Sequence, residues 1–372
     1  MVLVIIRCVC HYISKKWENV WGFMAISLSE FISQLAVNPV LRITVLLILG
    51  VIMINGWTDA PNAIASVVAT GGMRLGEAVR MAAVCNFLGL VVMAAVNAEV
   101  ASTVYHIADF GENGTEALAA LCAAMTSIIL WSAAAWCFGL PTSESHALLA
   151  GLTGAAVALH HGLAGIRMQE WGKVLCGLAV SVILGFLFGW LGGKAVREPG
   201  KKVNRGLVKA QIAGAAAMAF MHGAQDGQKF MGVFLLGLFL AGGKGTGVVS
   251  GFAVPFWMMC LCSAVMAAGT LVGGERIIRT VGTDMVELKG VQGAAADGAG
   301  AFCLLLCSLA GVPVSTTHVK TTAIMGVGMA ERRDAVNRGI VGQMFLAWII
   351  TFPCCGVIGY LTAGAFLHII QP

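Results

Sequence analysis

Two aspartates inside strongly apolar stretches are the residues best placed to do chemistry in this sequence. Asp59 lies in residues 56–65, together with Asn62, and Asp226 lies in the related stretch 221–230. Placing a carboxylate at the centre of a bilayer costs about 2.5–3.5 kcal/mol or more of free energy. Such a residue is therefore expected to have a functional role. We therefore expect both aspartates to belong to a site.

Each aspartate is followed by the same short motif at nearly the same distance. Pro141 begins PTSESH 82 residues after Asp59, and Pro313 begins PVSTTH 87 residues after Asp226. The shared pattern is Pro-x-Ser-x-(Ser/Thr)-His. Its duplication at matching offsets predicts that the chain has two related halves.

The hydroxyl residues of these motifs are suited to begin helices and to bind an anion. Proline followed by serine or threonine is typical of a helix N-terminus, where free N–H groups and the helix dipole attract negative charge. Carboxylates and helix starts that bind anions occur together here. This combination favours a tetrahedral oxyanion that moves with a coupling cation, H⁺ or Na⁺.

Other ionisable residues near the motifs have open roles. His146 and His318 titrate near physiological pH in their ordinary state, but structural hydrogen bonding is the more common role. Lys229 and Lys320 either contact the anion or pair with buried acids. Glu144 is expected to face the loop. The polar run 282–290 is a surface loop or supplies the nearby Asp297 to the interior, with Glu287 and Lys289 solvated.

The composition places this chemistry in a membrane. Of 372 residues, 58% are hydrophobic and 11% are charged, with a mean hydropathy of +0.87, whereas about a quarter of the residues of a soluble domain are charged. Apolar runs of about 15–25 residues without period-two alternation favour membrane helices over a β-barrel. They cover residues 41–70, 78–98, 117–139, 143–159, 173–193, 210–240, 249–270, 297–312, 316–330 and 339–369. The predicted fold class is an all-α polytopic membrane protein.

The apolar segments divide into five on each side of a basic linker. Residues 1–40 form an N-terminal extension with an amphipathic segment; residues 41–193 and 210–372 are two membrane repeats, and residues 194–209 are a cytoplasmic linker by the positive-inside rule. An odd number of passes gives the repeats inverted topology, with two hairpins and with helices broken near 56–62 and 222–228. Such interruptions in matching places are typical of transporter sites near the midplane.

Three further features carry less information. The first apolar stretch is too short to span, and Met24 is an alternative start of translation. The 12 cysteines form no CxxC pair, so we expect buried, inert thiols rather than a metal site. The net charge of +5 belongs to the loops and does not indicate a nucleic-acid partner.

The four motifs together resemble those of the PiT family of inorganic phosphate transporters. Residues 55–63 and 222–232 are similar to its paired signatures, residues 139–147 and 312–318 to its hairpin motifs, and residues 285–293 to a further family segment. The resemblance runs from about residue 40 to the C-terminus. It implies cation-coupled phosphate uptake across a bacterial-type plasma membrane, no enzyme activity, and no cofactor apart from the coupling ion.

The resemblance also selects residues. It implies substrate contacts from Thr142, Ser143, Ser145, Ser315, Thr316, Thr317, Asn62 and Gln225, and cation coupling by Asp59, Asp226, Asn62 and Thr58. Thr58 and Gln225 stand where the family commonly has asparagine, and so does Lys229. The Gly-Gln-Lys sequence is similar to that of some bacterial members. Some bacterial relatives are proton-coupled and carry divalent-metal phosphate, so the resemblance slightly favours H⁺ as the coupling ion.

Two alternative functions stay open from the residues alone. The first is a permease for sulfate or another oxyanion. The second, more remote, is an intramembrane serine hydrolase that uses Ser143 with His146 or Ser315 with His318. Free or metal-complexed phosphate as the substrate and a homodimer as the assembly are also open.

Overall fold

Helices make up nearly all of the part of the chain that the computed structural model describes, which is every residue except 1–25, 112, 139–141, 197–204, 243–253, 273, 333 and 371–372. In chain order the helices are α1 (Leu28–Val37), α2 (Pro39–Thr58), α3 (Ala60–Ala69), α4 (Leu75–Val96), α5 (Glu99–Tyr105), α6 (Gly114–Cys137), α7 (Glu144–Leu159), α8 (Met168–Ala195), α9 (Arg205–Ala241), α10 (Phe256–Val272), α11 (Glu275–Arg279), α12 (Gly290–Leu309), α13 (Thr316–Glu331) and α14 (Arg338–Ile370). A 3₁₀ turn at Leu163–Gly165 and a π-helical turn at Thr280–Asp284 complete them. The alternative start at Met24 lies outside the described residues.

Among the described residues, six helical segments are long and apolar enough to cross a membrane. They are Pro39–Ala69, Leu75–Val96, Gly114–Cys137, Met168–Ala195, Gly290–Leu309 and Arg338–Ile370; Phe256–Val272 and Glu275–Asp284, bent by 72°, make a seventh if they are counted as one span. With 37 residues α9 is also long enough, but its centre carries the polar stretch around Asp226. Each of the ten apolar segments expected from the sequence coincides with a helix or with the α2–α3 pair. The chain is an all-α polytopic membrane protein.

The first expected helix break lies where the sequence placed it. Helix α2 ends at Thr58 and α3 begins at Ala60, so Asp59 stands between the two helices. Pro61 occupies the first turn of α3. Main-chain N–H groups there have no partner within the helix, so a proline loses no helical hydrogen bond. The break therefore places Asp59, which is buried, at a helix junction inside an apolar span.

The second expected break, near 222–228, is wrong. Helix α9 runs through this stretch without interruption. The glycines that suggested a break serve close packing instead: a side chain at Gly223 would collide with the backbone of Asn86 in α4, and one at Gly227 with Leu90. Small residues at such positions let two helices approach closely in a membrane.

The helices of the two halves pack on one another reciprocally. The short helix α7 packs against α14, and its counterpart α13 packs against α8; in the same way α2 contacts α10, and α9 contacts α4. The last helix of each half thus lies against the short motif-bearing helix of the other half. This reciprocal packing brings the serines and histidines of the two motifs together.

Helix α1 packs against the second half of the chain. Ser27 caps α1 by accepting a hydrogen bond from the Glu30 amide at 3.1 Å. Phe31 is buried and stacks on Trp257 with ring centroids 4.6 Å apart, while Leu28 and Ile32 are exposed. Helix α1 therefore contacts the second half through Phe31.

Candidate functional site

The first turns of α7 and α13 meet head to head. Ser143 is the N-cap of α7 and accepts from the His146 amide at 3.3 Å, and Ser315 caps α13 and accepts from the His318 amide at 3.2 Å. The two capping hydroxyls are themselves 2.8 Å apart. Because both helix N-termini carry partial positive charge, this arrangement favours an anion beside the two caps.

Asp59 faces these helix starts from the α2–α3 junction. Its Oδ1 accepts a hydrogen bond from Asn62 Nδ2 at 2.9 Å and another from the Thr317 hydroxyl, and Asn62 also donates to Thr317 Oγ1 at 3.2 Å. All three residues are buried. Each donor is neutral, so the aspartate charge is solvated by dipoles but not balanced by them.

Asp226 approaches the same region from α9 and does have a cationic partner. Lys229 Nζ lies 2.6 Å from its Oδ1, one helical turn along α9. Its Oδ2 accepts from Thr316 Oγ1 at 2.9 Å and from Asn55 Nδ2 at 3.4 Å. Both oxygens of Asp226 are therefore engaged, and its charge is balanced within the protein.

A polar chain leads from Asp226 into α4 and α10. His222 Nε2 lies 3.3 Å from Asp226 Oδ2, and its Nδ1 lies 3.1 Å from Asn86 Oδ1. Asn86 in turn donates to Thr270 Oγ1 at 3.1 Å. One ligand atom each from Asp59, His222 and Asp226 lies within 4.8 Å of the other two, which is close enough for the three residues to share one cation.

Glu144 is buried at the start of α7, and the expectation that it faces the loop is wrong. It is 2% exposed, because the first turn of α7 lies against the end of α2. Its Oε1 contacts Thr58 Oγ1, which also lies 2.9 Å from the Ile54 carbonyl. The Thr58 hydroxyl therefore links the start of α7 to the end of α2.

A second buried ion pair lies apart from this cluster. Lys320 in α13 pairs with Asp297 in α12, and both side chains are fully buried. Ser66 of α3 donates to both Asp297 oxygens at 2.6 Å and accepts from Lys320 at 2.9 Å. Of the two roles considered for Lys320, the structure shows pairing with a buried acid. It also shows that Asp297 is an interior residue, while Glu287 and Lys289 are exposed.

The two motif histidines are packed among aromatic rings. His146 and His318 contact each other edge to face with ring centroids 4.4 Å apart, and they stack on Phe352 and Trp348 respectively. His146 Nδ1 lies 3.4 Å from the Trp348 carbonyl. The serines receive the histidine main-chain amides rather than the imidazoles, so no serine–histidine nucleophile pair is formed.

Two other selected residues lie at the edge of the cluster. Gln225 donates to Ser308 Oγ at 2.9 Å and to the Val312 carbonyl at 3.3 Å, and accepts from the Val314 amide at 3.4 Å. It thereby holds the segment that leads into α13. Thr142 is buried directly before the α7 cap.

The structure brings together most of the selected residues and adds three that the sequence reasoning missed. Asn55 and His222 contact Asp226, and Glu144 contacts Thr58. Asn55 and His222 are the first residues of the two signatures, and each lies four residues before its aspartate. Residues four apart lie on the same face of a helix, so this spacing is the signal that could have found them. Asn55 Oδ1, Asn62 Oδ1 and Glu144 Oε2 are buried with no hydrogen-bond partner among the described residues. These oxygens are of the kind that ligate hard cations.

The ten described cysteines are all free. Five of them are buried, as expected, but Cys137 and Cys176 are exposed. Cys137 ends α6, and Cys176 lies on the outer face of α8 next to the exposed Leu175. Burial predicted from composition does not hold for helix faces that point away from the core.

Comparison with known proteins gives a consistent result. The family model described as "Phosphate transporter family" matches residues 55–200 and 193–359. The chain is 34% identical over 325 residues to a Mycobacterium bovis protein, covering 85% of this chain and 75% of that protein. It is 36% identical over 316 residues to one from Rhizobium meliloti, covering 83% and 91%. Both are named "probable low-affinity inorganic phosphate transporter". A solved structure titled "The sodium-dependent phosphate transporter" matches with a TM-score of 0.76 at 21% identity, covering 90% of this chain and 99% of that one.

Proposed function

Because the chain belongs to the phosphate transporter family and is a multi-pass protein of the cell membrane, we propose that it carries inorganic phosphate by cation-coupled symport. The chain is a transporter and not an enzyme, so the hydrolase alternative is withdrawn. Phosphate lies in this proposal between the starts of α7 and α13, with Ser143, Ser145, Ser315, Thr316 and Thr317 as its hydroxyl contacts. Asp59 and Asp226, with Asn62 and Thr58, form the cation side.

The observation that carries the proposal is the 2.8 Å contact between the caps of two facing helix starts. Two positive helix ends in contact repel each other, and a dianion or monoanion beside them removes that repulsion. The buried carboxylate of Asp59 accepts a hydrogen bond from Thr317, which belongs to the first turn of α13. An anion and a cation bound there would attract each other, which links the movement of one to the other.

Alternating access would follow from the reciprocal packing of the halves. In this proposal residues 41–193 and 210–372 are inverted repeats, residues 194–209 are their cytoplasmic linker, and residues 1–40 are a peripheral extension. The core of each half moves against the other around the central site, which opens in turn to each side of the membrane.

The test is uptake of labelled phosphate by purified protein in proteoliposomes, with Na⁺ and pH gradients imposed separately. We expect accumulation with one of the two gradients and loss of accumulation in Asp226→Asn and Asp59→Asn. Asp109→Asn is the matched control, because this aspartate is partly exposed and pairs with Arg167 at 3.7 Å away from the cluster. Accumulation by Asp226→Asn at the wild-type level would show that the assigned role is wrong.

Two additions to the same assay address the substrate. Excess unlabelled sulfate should leave phosphate uptake unchanged, and full competition would favour a general oxyanion permease. Uptake is also compared with and without Mg²⁺. A dependence on Mg²⁺, with co-accumulation of the metal, would identify metal phosphate as the carried species.

A further inference from the structure

The ammonium group of Lys229 is held as a bound metal cation would be. Its Nζ lies 2.6 Å from Asp226 Oδ1, 2.7 Å from Ser145 Oγ and 2.5 Å from the Val314 carbonyl oxygen. A carboxylate, a hydroxyl and a main-chain carbonyl are the oxygen types that bind hard cations in proteins. Main-chain carbonyls at interrupted helices serve the same purpose in transporters.

The three ligands come from three separate parts of the chain. Asp226 belongs to α9, Ser145 to α7, and Val314 to the segment directly before α13. An ammonium group has three N–H donors, and here each donor has one acceptor. The lysine side chain is 2% exposed, so the oxygen pocket around its tip is complete and closed.

The second buried lysine shows that this arrangement is not unique to Lys229. Lys320 contacts a carboxylate (Asp297), a serine hydroxyl (Ser66) and the Ala63 carbonyl oxygen at 3.5 Å. The ligand set is the same. Lys229 differs because its carboxylate partner is one of the two aspartates of the proposed transport site.

The two aspartates of that site are therefore not equivalent. Asp226 has the Lys229 ammonium on Oδ1, and on Oδ2 it has the donors Thr316 and Asn55 with His222 Nε2 at 3.3 Å. Asp59 has only neutral donors, from Asn62 and Thr317, and no ion pair to it is present among the described residues. A mobile cation gains most where the negative charge is unbalanced, at Asp59.

We propose that Lys229 is a tethered cation that permanently fills the Asp226 cation pocket, so that Asp59 holds the single exchangeable coupling cation. The inference rests on the proposed function and sharpens it, since it reduces two cation positions to one. Removing the ammonium without removing its ligands should open a pocket for Na⁺. The variant would then bind one more sodium ion per chain than the wild type.

The experiment measures equilibrium ²²Na⁺ binding to purified wild-type protein, Lys229→Ala and Lys229→Asn. We expect one additional ion per chain in both variants, whatever number the wild type binds, and a melting temperature that rises with sodium in the variants more than in the wild type. Lys173→Ala is the matched control, because Lys173 also pairs with a carboxylate three residues before it, at 2.9 Å, but on the surface. It should bind no additional sodium.

Each result decides the proposal. An unchanged sodium count in folded Lys229→Ala and Lys229→Asn would overturn it, and so would failure of both variants to fold at every sodium concentration, because a filled pocket should fold. A failure of the wild type to transport phosphate is a separate result. It would refute the proposed function while the sodium count still reported on the pocket.

Discussion

Ser143 Oγ and Ser315 Oγ lie 2.8 Å apart, although 172 positions separate them in the chain. Each serine also caps its own helix with the same geometry, receiving the amide of the histidine three residues later. The contact therefore joins two equivalent points of the two halves. A ligand that bridges these hydroxyls would touch both halves at once, which is what a substrate that controls their relative movement must do.

Removing either hydroxyl should weaken phosphate binding. A hydrogen bond to a charged group contributes about 1.5–3 kcal/mol, so Ser143→Gly or Ser315→Gly should raise KM for phosphate uptake by about tenfold or more. Glycine is chosen because it costs a helix cap only a few tenths of a kcal/mol. The melting temperature should therefore change little, which separates binding from folding.

The pair should also be coupled. Since the two hydroxyls contact each other, the double variant should raise KM by less than the product of the single effects. Ser181→Ala is the control, because the hydroxyl of this buried serine donates to the Leu178 carbonyl within α8 and glycine would destabilise the interior of a long helix. Wild-type KM in both single variants would contradict a role in binding phosphate.

Asp59→Asn should separate net uptake from exchange. Asparagine is neutral, as an aspartate is when its cation is bound, and it fits among the same neighbours, Asn62 and Thr317. We expect gradient-driven accumulation to fall to background while exchange of internal for external phosphate continues. Labelled phosphate efflux into phosphate-containing and phosphate-free medium measures the two rates. Loss of both rates in a folded variant would show that Asp59 acts in phosphate binding itself.

The sequence was sufficient for features that depend on local chemistry. Runs of apolar residues long enough to span determined the helices, and the serines after Pro141 and Pro313 were recognised as helix caps because capping involves residues three positions apart. Pro61 next to Asp59 likewise indicated the α2–α3 junction. These inferences required no knowledge of which helices are neighbours.

The features that were missed or wrong depend on neighbours far along the chain. Gly223 and Gly227 do not break α9, because α4 packs directly against them and keeps the helix intact. Glu144 is buried where it contacts Thr58, which lies far from it in the sequence. The pocket around Lys229 is formed by residues up to 85 positions away. No local sequence pattern predicts such a contact.

The Lys320–Asp297 pair should be essential to stability as a pair. Removal of one partner of a buried pair leaves an uncompensated charge and costs about 3–5 kcal/mol, whereas an apolar replacement of both is often neutral. We expect Lys320→Met to lower the melting temperature strongly and Lys320→Met/Asp297→Leu to recover most of the loss. Thermal unfolding in detergent measures both.

The surface pair Lys289–Glu331 provides the comparison for that experiment. Its atoms are 2.7 Å apart, but the lysine side chain is 75% exposed. Exposed pairs contribute about 0.2–1 kcal/mol, so Lys289→Met should shift the melting temperature only slightly. If Lys320→Met were as stable as Lys289→Met, the buried pair would have no structural importance.

The packing of α7 against α14 should be sensitive to one added methyl group. A Cβ at Gly154 would collide with the Gly356 carbonyl oxygen, and overpacking of this kind costs about 1–3 kcal/mol. Gly154→Ala should therefore lower the melting temperature. Gly172→Ala is the matched control, since nothing lies within 4 Å of a Cβ there, and alanine in a helix is more favourable than glycine by about 1 kcal/mol. A Gly154→Ala protein that melts at or above the Gly172→Ala temperature would show that α7 and α14 are not in close contact.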